Sequence, residues 1–426
     1  MTYFLILGNN PTLSIAEILK ILTGPFEIKK ISEEVLIIDL PGNKEIDFAY
    51  LQNRIGGTVK IGKILPNQDL KNLADLFSKN SPKVRFGFSV YRLDHQASIS
   101  QIVNLIKNLA LNLKKDLKEK GISSRWVTSR EDALSSVIVQ TNKLLETGAE
   151  FVFFAEKNGF LFGRTLACQD FKEYGFRDFG RPNRSMEQGI LPPKLAKIMI
   201  NLAGKLDEKA VILDPFCGAG TILQEAALMG YKNIIGADLN PEAIKDTQGN
   251  LKWLAENDQL PTTNCKVFQA DVKEISKKID PQSIDLIVAE PYLGPTKISS
   301  LKAQLPIIMS KLSDLYIGAF KEFQKILKPN GQVVMIFPIY QDLKQNNGIF
   351  SEFILPEIKK MGWQTINILP DSVANYPTIK STKRQSIIYA RANQEVWREI
   401  FIIKRAREKQ PANANCFSEQ AQISKG

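Results

Sequence analysis

Hydrophobic and polar residues follow two periods along the first 65 residues. Segments in which apolar residues run together or alternate predict strands, and segments in which they recur every three to four residues predict helices. Six elements are predicted in the order βαββαβ, at residues 3–7, 12–22, 26–31, 35–40, 46–53 and 58–65. Because this order is typical of the ferredoxin-like fold, we expect a ferredoxin-like domain over residues 1–68.

A second α+β unit is predicted over residues 69–167. Its expected elements are a strand at 83–91, a helix with its apolar face at Ile102, Leu105, Ile106, Leu109 and Leu113, a strand at 124–128, a helix at 131–146 and a hairpin of strands 151–155 and 160–165. Neither this unit nor the first carries a plausible catalytic group. We therefore expect both to be binding or spacing domains.

Strands and helices alternate from residue 192 onward. Such alternation predicts a doubly wound parallel α/β sheet over residues 192–403. No clear helix separates the last two predicted strands, 365–369 and 386–390, so we expect the last strand to be antiparallel. The polar tail at 404–426 is predicted to be disordered. The strands are expected near residues 210, 234, 266, 284, 333, 365 and 387.

Length and composition indicate a soluble protein with two or three domains. The chain has 426 residues, of which 44% are hydrophobic, and no apolar run reaches membrane-spanning length. The first residues lack a basic leader and a small-residue cleavage site, so they are interpreted as a strand and not as a signal peptide. We therefore expect a cytoplasmic protein with no membrane partner.

Few residues suit metal or redox chemistry. His95 is the single histidine and is interpreted as a surface or capping residue. The cysteines are scattered without a Cys-x-x-Cys pair, so neither a disulfide framework nor a metal site is predicted. The four are Cys168, Cys217, Cys265 and Cys416.

The net charge of +11 favours a polyanionic partner, although a lysine-rich solubilising surface is the alternative. Residues 171–184 interleave aromatic residues with Arg177, Arg181 and Arg184 and show no period. Arginines among aromatic rings bind phosphates and stack on bases, so the three are candidate RNA ligands. A linker over 168–191 that packs across a domain seam is the alternative, and the sequence leaves both open.

Residues 213–222 have the layout of a nucleotide-binding strand, turn and helix. Asp214 ends a strand, Gly218 and Gly220 permit close backbone approach, and Thr221 begins a helix. The segment meets neither the G-x-G-x-x-G dinucleotide fingerprint nor the Walker motif. Asp214 would repel a pyrophosphate but would hold an ammonium group through bridging water. This preference indicates S-adenosylmethionine as the cofactor.

Successive predicted strands of this sheet end in or near acidic residues, and ligands of doubly wound sheets bind at those ends. In a site for S-adenosylmethionine, Asp214 would face the methionine part, Asp238 the ribose and Asp271 the adenine amino group. Each acid taken alone would also suit a helix cap or a solvated turn. The predicted cofactor residues are Asp214, Phe216, Gly218, Gly220, Thr221, Asp238, Leu239, Asp271 and Val272.

The candidate catalytic residues are Glu290, Pro291 and Tyr292, which follow the apolar segment 284–289. Methyl transfer to an exocyclic amine needs acceptors for the amine hydrogens and a flat surface that holds the ring. Glu290 and the carbonyl of Ala289 or Pro291 would supply the acceptors, and Tyr292 would stack on an extruded base. A rigid proline turn with a half-buried tyrosine is the alternative.

Three segments resemble the THUMP-containing tRNA guanine-N2-methyltransferases, the family that methylates guanosine ten of tRNA. They run from Arg177 to Pro182, from Gly189 to Ala196 and from Asp214 to Thr221, and the resemblance covers most of residues 1–403. It implies a Rossmann-like class I methyltransferase domain with a mixed sheet, preceded by ferredoxin-like and THUMP-like domains that grip the tRNA acceptor end. The residues it implies as cofactor ligands are Asp214, Gly218, Gly220, Asp238 and Asp271, with 290–292 as the amine-facing motif.

The chain departs from the family pattern at that motif. The pattern is Asp or Asn followed by Pro-Pro-Tyr or Pro-Pro-Phe, whereas this chain has Glu290, one proline and an aromatic residue one position early. The extra methylene would shift the acceptor by about one C–C bond length, which matters in a preorganised site. A tRNA guanine-N2-methyltransferase is the leading hypothesis. The alternatives are a ribosomal RNA or DNA amino-methyltransferase and a non-catalytic tRNA-binding protein.

Overall fold

A computed structural model describes most of the chain. The described residues are 1–41, 47–77, 83–184, 191–257, 260, 263–295, 304–340, 349–391 and 394–406. Within these residues, two eight-stranded sheets form the framework, one in the N-terminal part and one in the C-terminal part. The C-terminal sheet carries the candidate site.

The N-terminal sheet contains the first eight strands. They are β1 (Thr2–Leu7), β2 (Glu27–Ile31), β3 (Val35–Asp39), β4 (Thr58–Leu65), β5 (Lys83–Arg92), β6 (Ser123–Val127), β7 (Gly148–Glu156) and β8 (Gly159–Cys168). Their order is β2-β3-β1-β4-β8-β7-β5-β6, and β5 runs parallel to both of its neighbours. The connections include α1 (Pro11–Ile21), α2 (Phe48–Arg54), a 3₁₀ segment (Asn67–Leu76), α3 (Ile99–Glu119) and α4 (Ser136–Thr141).

The predicted N-terminal elements are present in the predicted order. Helix α1 begins where the side chain of Asn10 accepts a hydrogen bond from the amide of Leu13 at 3.1 Å. The helix predicted at 131–146 is wrong in extent. It begins after the Ser135 cap and ends before Lys143, whose φ of 53° lies in the left-handed region.

Strands β4 and β8 pair antiparallel, so the N-terminal sheet continues across residue 68. Lys60 on β4 and Glu150 on β7 form an ion pair in which neither side chain is more than 1% exposed. Ser89 and Thr165 also donate hydrogen bonds to Glu150, at 2.5 and 2.7 Å. The strands on the two sides of residue 68 thus share one buried polar network. The domain boundary predicted at residue 68 stays a prediction.

The C-terminal sheet contains the remaining strands. They are β9 (Val211–Asp214), β10 (Asn233–Asp238), β11 (Asn264–Gln269), β12 (Ile284–Ala289), β13 (Leu327–Tyr340), β14 (Trp363–Ile366), β15 (Ile387–Tyr389) and β16 (Val396–Arg405). Their order is β11-β10-β9-β12-β13-β16-β14, with β15 paired to β16. The first four neighbouring pairs are parallel and β16 is antiparallel, which confirms the predicted Rossmann-like mixed sheet.

Helices accompany these strands along the second half of the chain. They are α5 (Phe171–Gly175), a π-helical turn (Phe176–Gly180), α6 (Pro193–Leu202), α7 (Thr221–Leu228), α8 (Pro241–Glu256), a 3₁₀ helix (Val272–Lys277), α9 (Leu305–Ile326), α10 (Phe350–Lys360) and α11 (Asp371–Ala374). Between α1 and α6, Glu17 is buried and accepts hydrogen bonds from Gly56, Gly57 and Asn201 at 2.7–2.8 Å. This contact joins the two parts of the molecule.

The antiparallel last strand is present, but its predicted position was wrong. Strand β16 at Val396–Arg405 lies between β13 and β14, whereas the predicted strand at 386–390 is the short β15. The segment was missed because it carries Arg398 and Glu399, which are buried and paired. The strand also passes the predicted domain end at residue 403. The tail predicted to be disordered lies outside the described residues from 407 onward.

The described part of the chain contains no helix with both the length and the apolar character that crossing a membrane requires. Nor do these residues bring together three or more His, Cys, Asp or Glu side chains that could hold a metal ion. Cys168, Cys217 and Cys265 are free thiols, Cys416 lies outside the described residues, and His95 is exposed in a turn.

Candidate active site

The carboxyl ends of four parallel strands meet at one edge of the C-terminal sheet. Strands β11, β10, β9 and β12 are neighbours in that order, and Asp214 lies opposite Gly236 on β10. Because the strands are parallel, Asp214, Asp238, Asp271 and Glu290 all belong to this edge. The burial of Asp214 raises its pKa, and the charges of Asp238 and Glu290 raise it further. The acids predicted from the sequence thus influence one another electrostatically.

The turn after β9 depends on two glycines. Gly218 and Gly220 have φ angles of 50° and 80°, in the left-handed region that favours glycine. A Cβ atom at Gly220 would lie 2.9 Å from Cγ2 of Thr247, whereas a Cβ atom at Gly218 would meet no atom within 4 Å. The open space at Gly218 leaves the backbone of the turn accessible to a ligand.

Two polar residues of α8 hold the turn in place, and no sequence motif indicated either of them. Thr247 Oγ1 donates a hydrogen bond to the carbonyl of Gly218 at 2.7 Å, and Asn250 Nδ2 donates to the carbonyl of Ala219 at 2.9 Å. Both side chains are fully buried. Thr247 and Asn250 are three residues apart, so they lie on the same face of the helix. This spacing was the sequence feature that could have indicated them.

Asp238 connects β10 to the glycine turn. Its Oδ2 accepts a hydrogen bond from the amide of Gly218 at 3.0 Å, and its Oδ1 accepts one from the amide of Asn240 at 2.9 Å. The carboxylate is half-buried. Loss of this side chain would therefore release the turn as well as remove a polar group from the strand edge.

Asp214 is the most deeply buried acid of the group, with 1% of its surface exposed. Its Oδ1 accepts a hydrogen bond from the amide of Phe216 at 3.1 Å. Burial raises the pKa of this carboxyl well above its ordinary value of 3.8. A cation beside this buried carboxyl group would stabilise its ionised form, and an ammonium group is such a cation.

Asp271 acts as a cap in this structure. Its Oδ1 accepts a hydrogen bond from the amide of Lys273 at 2.9 Å at the start of the 3₁₀ helix. The cap alternative therefore holds for this oxygen, and a role towards adenine stays a prediction. Its neighbour Val272 is buried, whereas Leu239 at the adjacent strand end is exposed.

Glu290 forms an ion pair with Arg398, a residue that no sequence motif indicated. Arg398 Nε donates a hydrogen bond to Glu290 Oε1. The side chain of Glu290 is 14% exposed and that of Arg398 is 9% exposed. Arg398 lies on β16 opposite Pro338. The acid that replaces the family's Asp or Asn is thus fixed by a guanidinium group from the antiparallel strand.

Tyr292 projects outward from the segment that follows Glu290, with 58% of its surface exposed. Tyr340 Oη donates a hydrogen bond to the carbonyl of Leu293 at 2.8 Å, and Gly294 has a φ of 87°. Pro291 is buried. The ring of Tyr292 is therefore exposed and not half-buried, and its role as a stacking surface stays a prediction.

Two of the three predicted RNA-binding arginines lie in the protein interior. Arg177 Nε pairs with Glu225 at 2.8 Å, and Arg181 Nη1 donates to Thr221 Oγ1 at 2.6 Å. Both arginines are buried, so their guanidinium groups are not accessible to an RNA backbone. For these two residues the structure supports the linker alternative and corrects the predicted RNA contact. Arg184 is half-buried beside Phe179.

Comparison with known proteins supports a methyltransferase. Residues 181–349 match the UPF0020 family, described as an RMKL-like methyltransferase domain. The tRNA (guanine(10)-N2)-dimethyltransferase of Methanothermobacter thermautotrophicus is 34% identical over 157 residues, which cover 37% of this chain and 41% of that protein. A probable tRNA (guanine(10)-N2)-dimethyltransferase of Methanothermococcus thermolithotrophicus is 33% identical over 123 residues, which cover 29% of this chain and 72% of that protein.

A solved structure resembles almost the whole chain. The crystal structure of TrmN from Thermus thermophilus has a TM-score of 0.50 and 13% sequence identity, and the match covers 95% of this chain and 100% of that one. At this identity the likeness concerns the fold. The matched region spans less than half of the length of the Methanothermobacter thermautotrophicus relative.

Proposed function

We propose that this chain, which belongs to the tRNA guanine-N2-methyltransferase family, transfers a methyl group from S-adenosylmethionine to N2 of a guanosine in tRNA. The names of its relatives specify guanine 10, and we propose that position as the target. The observation that carries the proposal is the sheet edge where Asp214, Asp238 and the open glycine turn lie beside Glu290 and an exposed Tyr292.

The cofactor residues are assigned by their chemistry. S-adenosylmethionine supplies an electrophilic methyl group on a sulfonium and carries a cationic amino group. Asp214 is the buried carboxyl that an ammonium group would stabilise, directly or through water. We assign the ribose to Asp238 and the adenine to Asp271 and Val272, which lie at the next two strand ends. The residues present fit this cofactor.

Glu290 is assigned as the acceptor for the guanine amine. With Oε1 held by Arg398, Oε2 would accept a hydrogen bond from N2–H and localise the nitrogen lone pair. The lone pair localised by Glu290 would then face the methyl group that S-adenosylmethionine, held by Asp214 and Asp238, would supply. Glu290 receives the proton that N2 loses, and Tyr292 stacks on the extruded base.

The N-terminal sheet is proposed to bind tRNA in the cytoplasm. Strands β1 to β4 have the order β2-β3-β1-β4 with helices α1 and α2, which supports a ferredoxin-like domain. We assign the THUMP-like domain to the strands from β5 to β8 and the linker to 168–191. Helix α3 presents exposed lysines at Lys107, Lys114 and Lys118, which suit contact with phosphates.

Removing the charges of α3 should weaken tRNA binding. In a variant with Lys107, Lys114 and Lys118 changed to glutamine, the affinity for tRNA should fall less steeply with salt. The slope of the logarithm of the affinity against the logarithm of the salt concentration should become less negative by about one for each phosphate that a lysine no longer neutralises. Filter binding at several salt concentrations measures the slope. The control changes three exposed lysines of the C-terminal part: Lys232, Lys245 and Lys252. An unchanged slope in the α3 variant, or an equal change in the control, would place the RNA surface elsewhere.

Removing Asp238 should weaken cofactor binding while tRNA binding persists. Because Asp238 holds the amide of Gly218, Asp238→Ala should raise the Kd for S-adenosylhomocysteine by about 10- to 100-fold. Isothermal titration calorimetry measures this change, and Asp280→Ala at an exposed turn is the matched control. An unchanged Kd would contradict the assignment, whereas an equal loss of tRNA affinity would mean that the variant is misfolded.

Methyl transfer itself is the test of the proposed function. The full chain is incubated with unmodified total tRNA and methyl-labelled S-adenosylmethionine, and the nucleosides are then analysed by mass spectrometry. Labelled N2-methylguanosine or its dimethylated form is the expected product. Bound tRNA without label would support the non-catalytic alternative instead.

A further inference from the structure

Arg181 lies where the linker meets the C-terminal sheet, with 3% of its surface exposed. Its Nη1 donates a hydrogen bond to Oγ1 of Thr221 at 2.6 Å, and Thr221 is the first residue of α7. The side chain therefore points towards the helix that begins directly after the glycine turn. A helix N-terminus presents unpaired amides and a positive dipole end, which together attract anions.

The guanidinium of Arg181 is only partly satisfied. Its Nε and Nη2 are buried and have no hydrogen-bond partner among the described residues. Glu225, the buried acid nearby on α7, is already paired with Arg177 and Lys197, at 2.8 and 3.6 Å. Burial lowers the pKa of Arg181, and the charges of Asp178 and Glu225 only partly oppose it. A buried cation with two free donors is incomplete without an anion.

The linker is fixed against the same elements that shape the glycine turn. Asn250 Oδ1 accepts a hydrogen bond from the amide of Asn183, and Asn250 Nδ2 donates to the carbonyl of Asn183, each at 3.0 Å. The same Nδ2 also donates to Ala219 in the turn. One side chain thus ties the linker, two residues after Arg181, to the glycine turn.

We propose that Arg181 and Thr221 bind the carboxylate of the methionine part of S-adenosylmethionine. The proposal rests on the proposed function and assigns a part of the cofactor that the acidic strand ends would repel. The guanidinium offers Nε and Nη2 in the fork geometry that matches a carboxylate. The hydroxyl of Thr221 accepts from Arg181 and keeps its own proton to donate.

The burial of Arg181 favours a small carboxylate over an RNA phosphate. A phosphate within a tRNA backbone would have to reach a side chain that the surrounding protein covers almost completely, since Arg181 is 3% exposed. Asp214, the last residue of the strand that leads into the turn, is a buried carboxyl group. The turn therefore has a cation and a carboxyl placed to match the two charges of an amino-acid zwitterion.

Decarboxylated S-adenosylmethionine isolates the contact, because it lacks the carboxylate and keeps the ammonium and the sulfonium. Calorimetry with the full chain should show that the native protein binds S-adenosylmethionine about 10- to 100-fold more tightly than the decarboxylated compound. Arg181→Gln should remove this preference and leave the Kd for the decarboxylated compound unchanged. Arg184→Gln, on the same linker, should keep the preference. Arg181→Lys should keep part of it, because the charge remains while the fork is absent.

The outcomes separate this inference from the proposed function. If the native protein binds neither compound, the proposed function fails. If it binds both equally, or if Arg181→Gln keeps the preference, Arg181 does not hold the carboxylate. If Arg181→Gln loses tRNA affinity and keeps the preference, the arginine belongs to the RNA surface and the inference is overturned. Thermal unfolding of each variant checks the fold, and Arg181→Lys serves as the test should the glutamine variant be unfolded.

Discussion

Changing Glu290 to alanine should lower kcat for methyl transfer by about 100- to 10,000-fold, the range expected when a positioned acid–base group is removed. The Kd for S-adenosylhomocysteine should change little, because Glu290 is assigned to the guanine amine and not to the cofactor. Single-turnover transfer of labelled methyl groups to tRNA measures the rate. This prediction has the largest expected effect on activity.

Two further variants separate chemistry from folding. Glu290→Gln keeps the shape and one acceptor oxygen, so its kcat should lie between those of the native protein and Glu290→Ala. Glu357→Ala removes an exposed carboxylate that pairs with Lys360 and should leave kcat unchanged. If Glu290→Ala, folded and able to bind tRNA, transferred methyl groups at the native rate, the catalytic assignment would be wrong.

Changing Glu150 to alanine should lower the free energy of unfolding by about 3–5 kcal/mol, the cost of leaving a buried charge without its partner. Lys60 would remain in the sheet interior, and Ser89 and Thr165 would be left without their acceptor. Chemical denaturation measures the change. The matched control is Glu146→Ala, which breaks an exposed pair with Lys143 and should cost at most about 1 kcal/mol.

The Lys60–Glu150 pair also predicts a dependence of stability on pH. Burial lowers the pKa of Lys60, but Glu150 and Tyr91 outweigh it and raise that pKa from 10.5 to about 12. Because the pKa of Lys60 is higher in the folded protein than in the unfolded chain, its protonation stabilises the fold. This contribution is complete below pH 10.5 and is lost as the pH rises through about 12. The double variant Lys60→Met, Glu150→Leu should lack this component and be more stable than Glu150→Ala, because it leaves no buried charge unpaired, although Ser89 and Thr165 still lose their acceptor. A double variant as unstable as Glu150→Ala would contradict this account.

The elements and the acidic strand ends could be predicted because each depends on local sequence. An apolar strand that runs into Asp214 and two glycines specifies the turn without any distant partner. The same holds for Asp238, which ends the next strand along the chain. Parallel strands then bring both residues to one edge, so their proximity followed from the sheet type alone.

The partners of these residues could not be predicted because they come from distant parts of the chain. Arg398 is 108 positions from Glu290 and lies on a strand whose buried charges concealed its period. Arg177 and Arg181 lie in a segment whose composition is typical of RNA ligands. In the structure both are buried, Arg177 paired with Glu225 and Arg181 hydrogen-bonded to Thr221. Pairing across the fold decides whether an arginine faces solvent, and composition carries no information on it.

The most direct test of the central claim compares two tRNA transcripts that differ by one exocyclic amine. One carries guanosine at position ten and the other carries inosine, which lacks the N2 amine. With labelled S-adenosylmethionine, the full chain should methylate the guanosine transcript and leave the inosine transcript unlabelled. Equal labelling of both transcripts, or labelling of neither while both are bound, would contradict guanine-N2 methylation at that position.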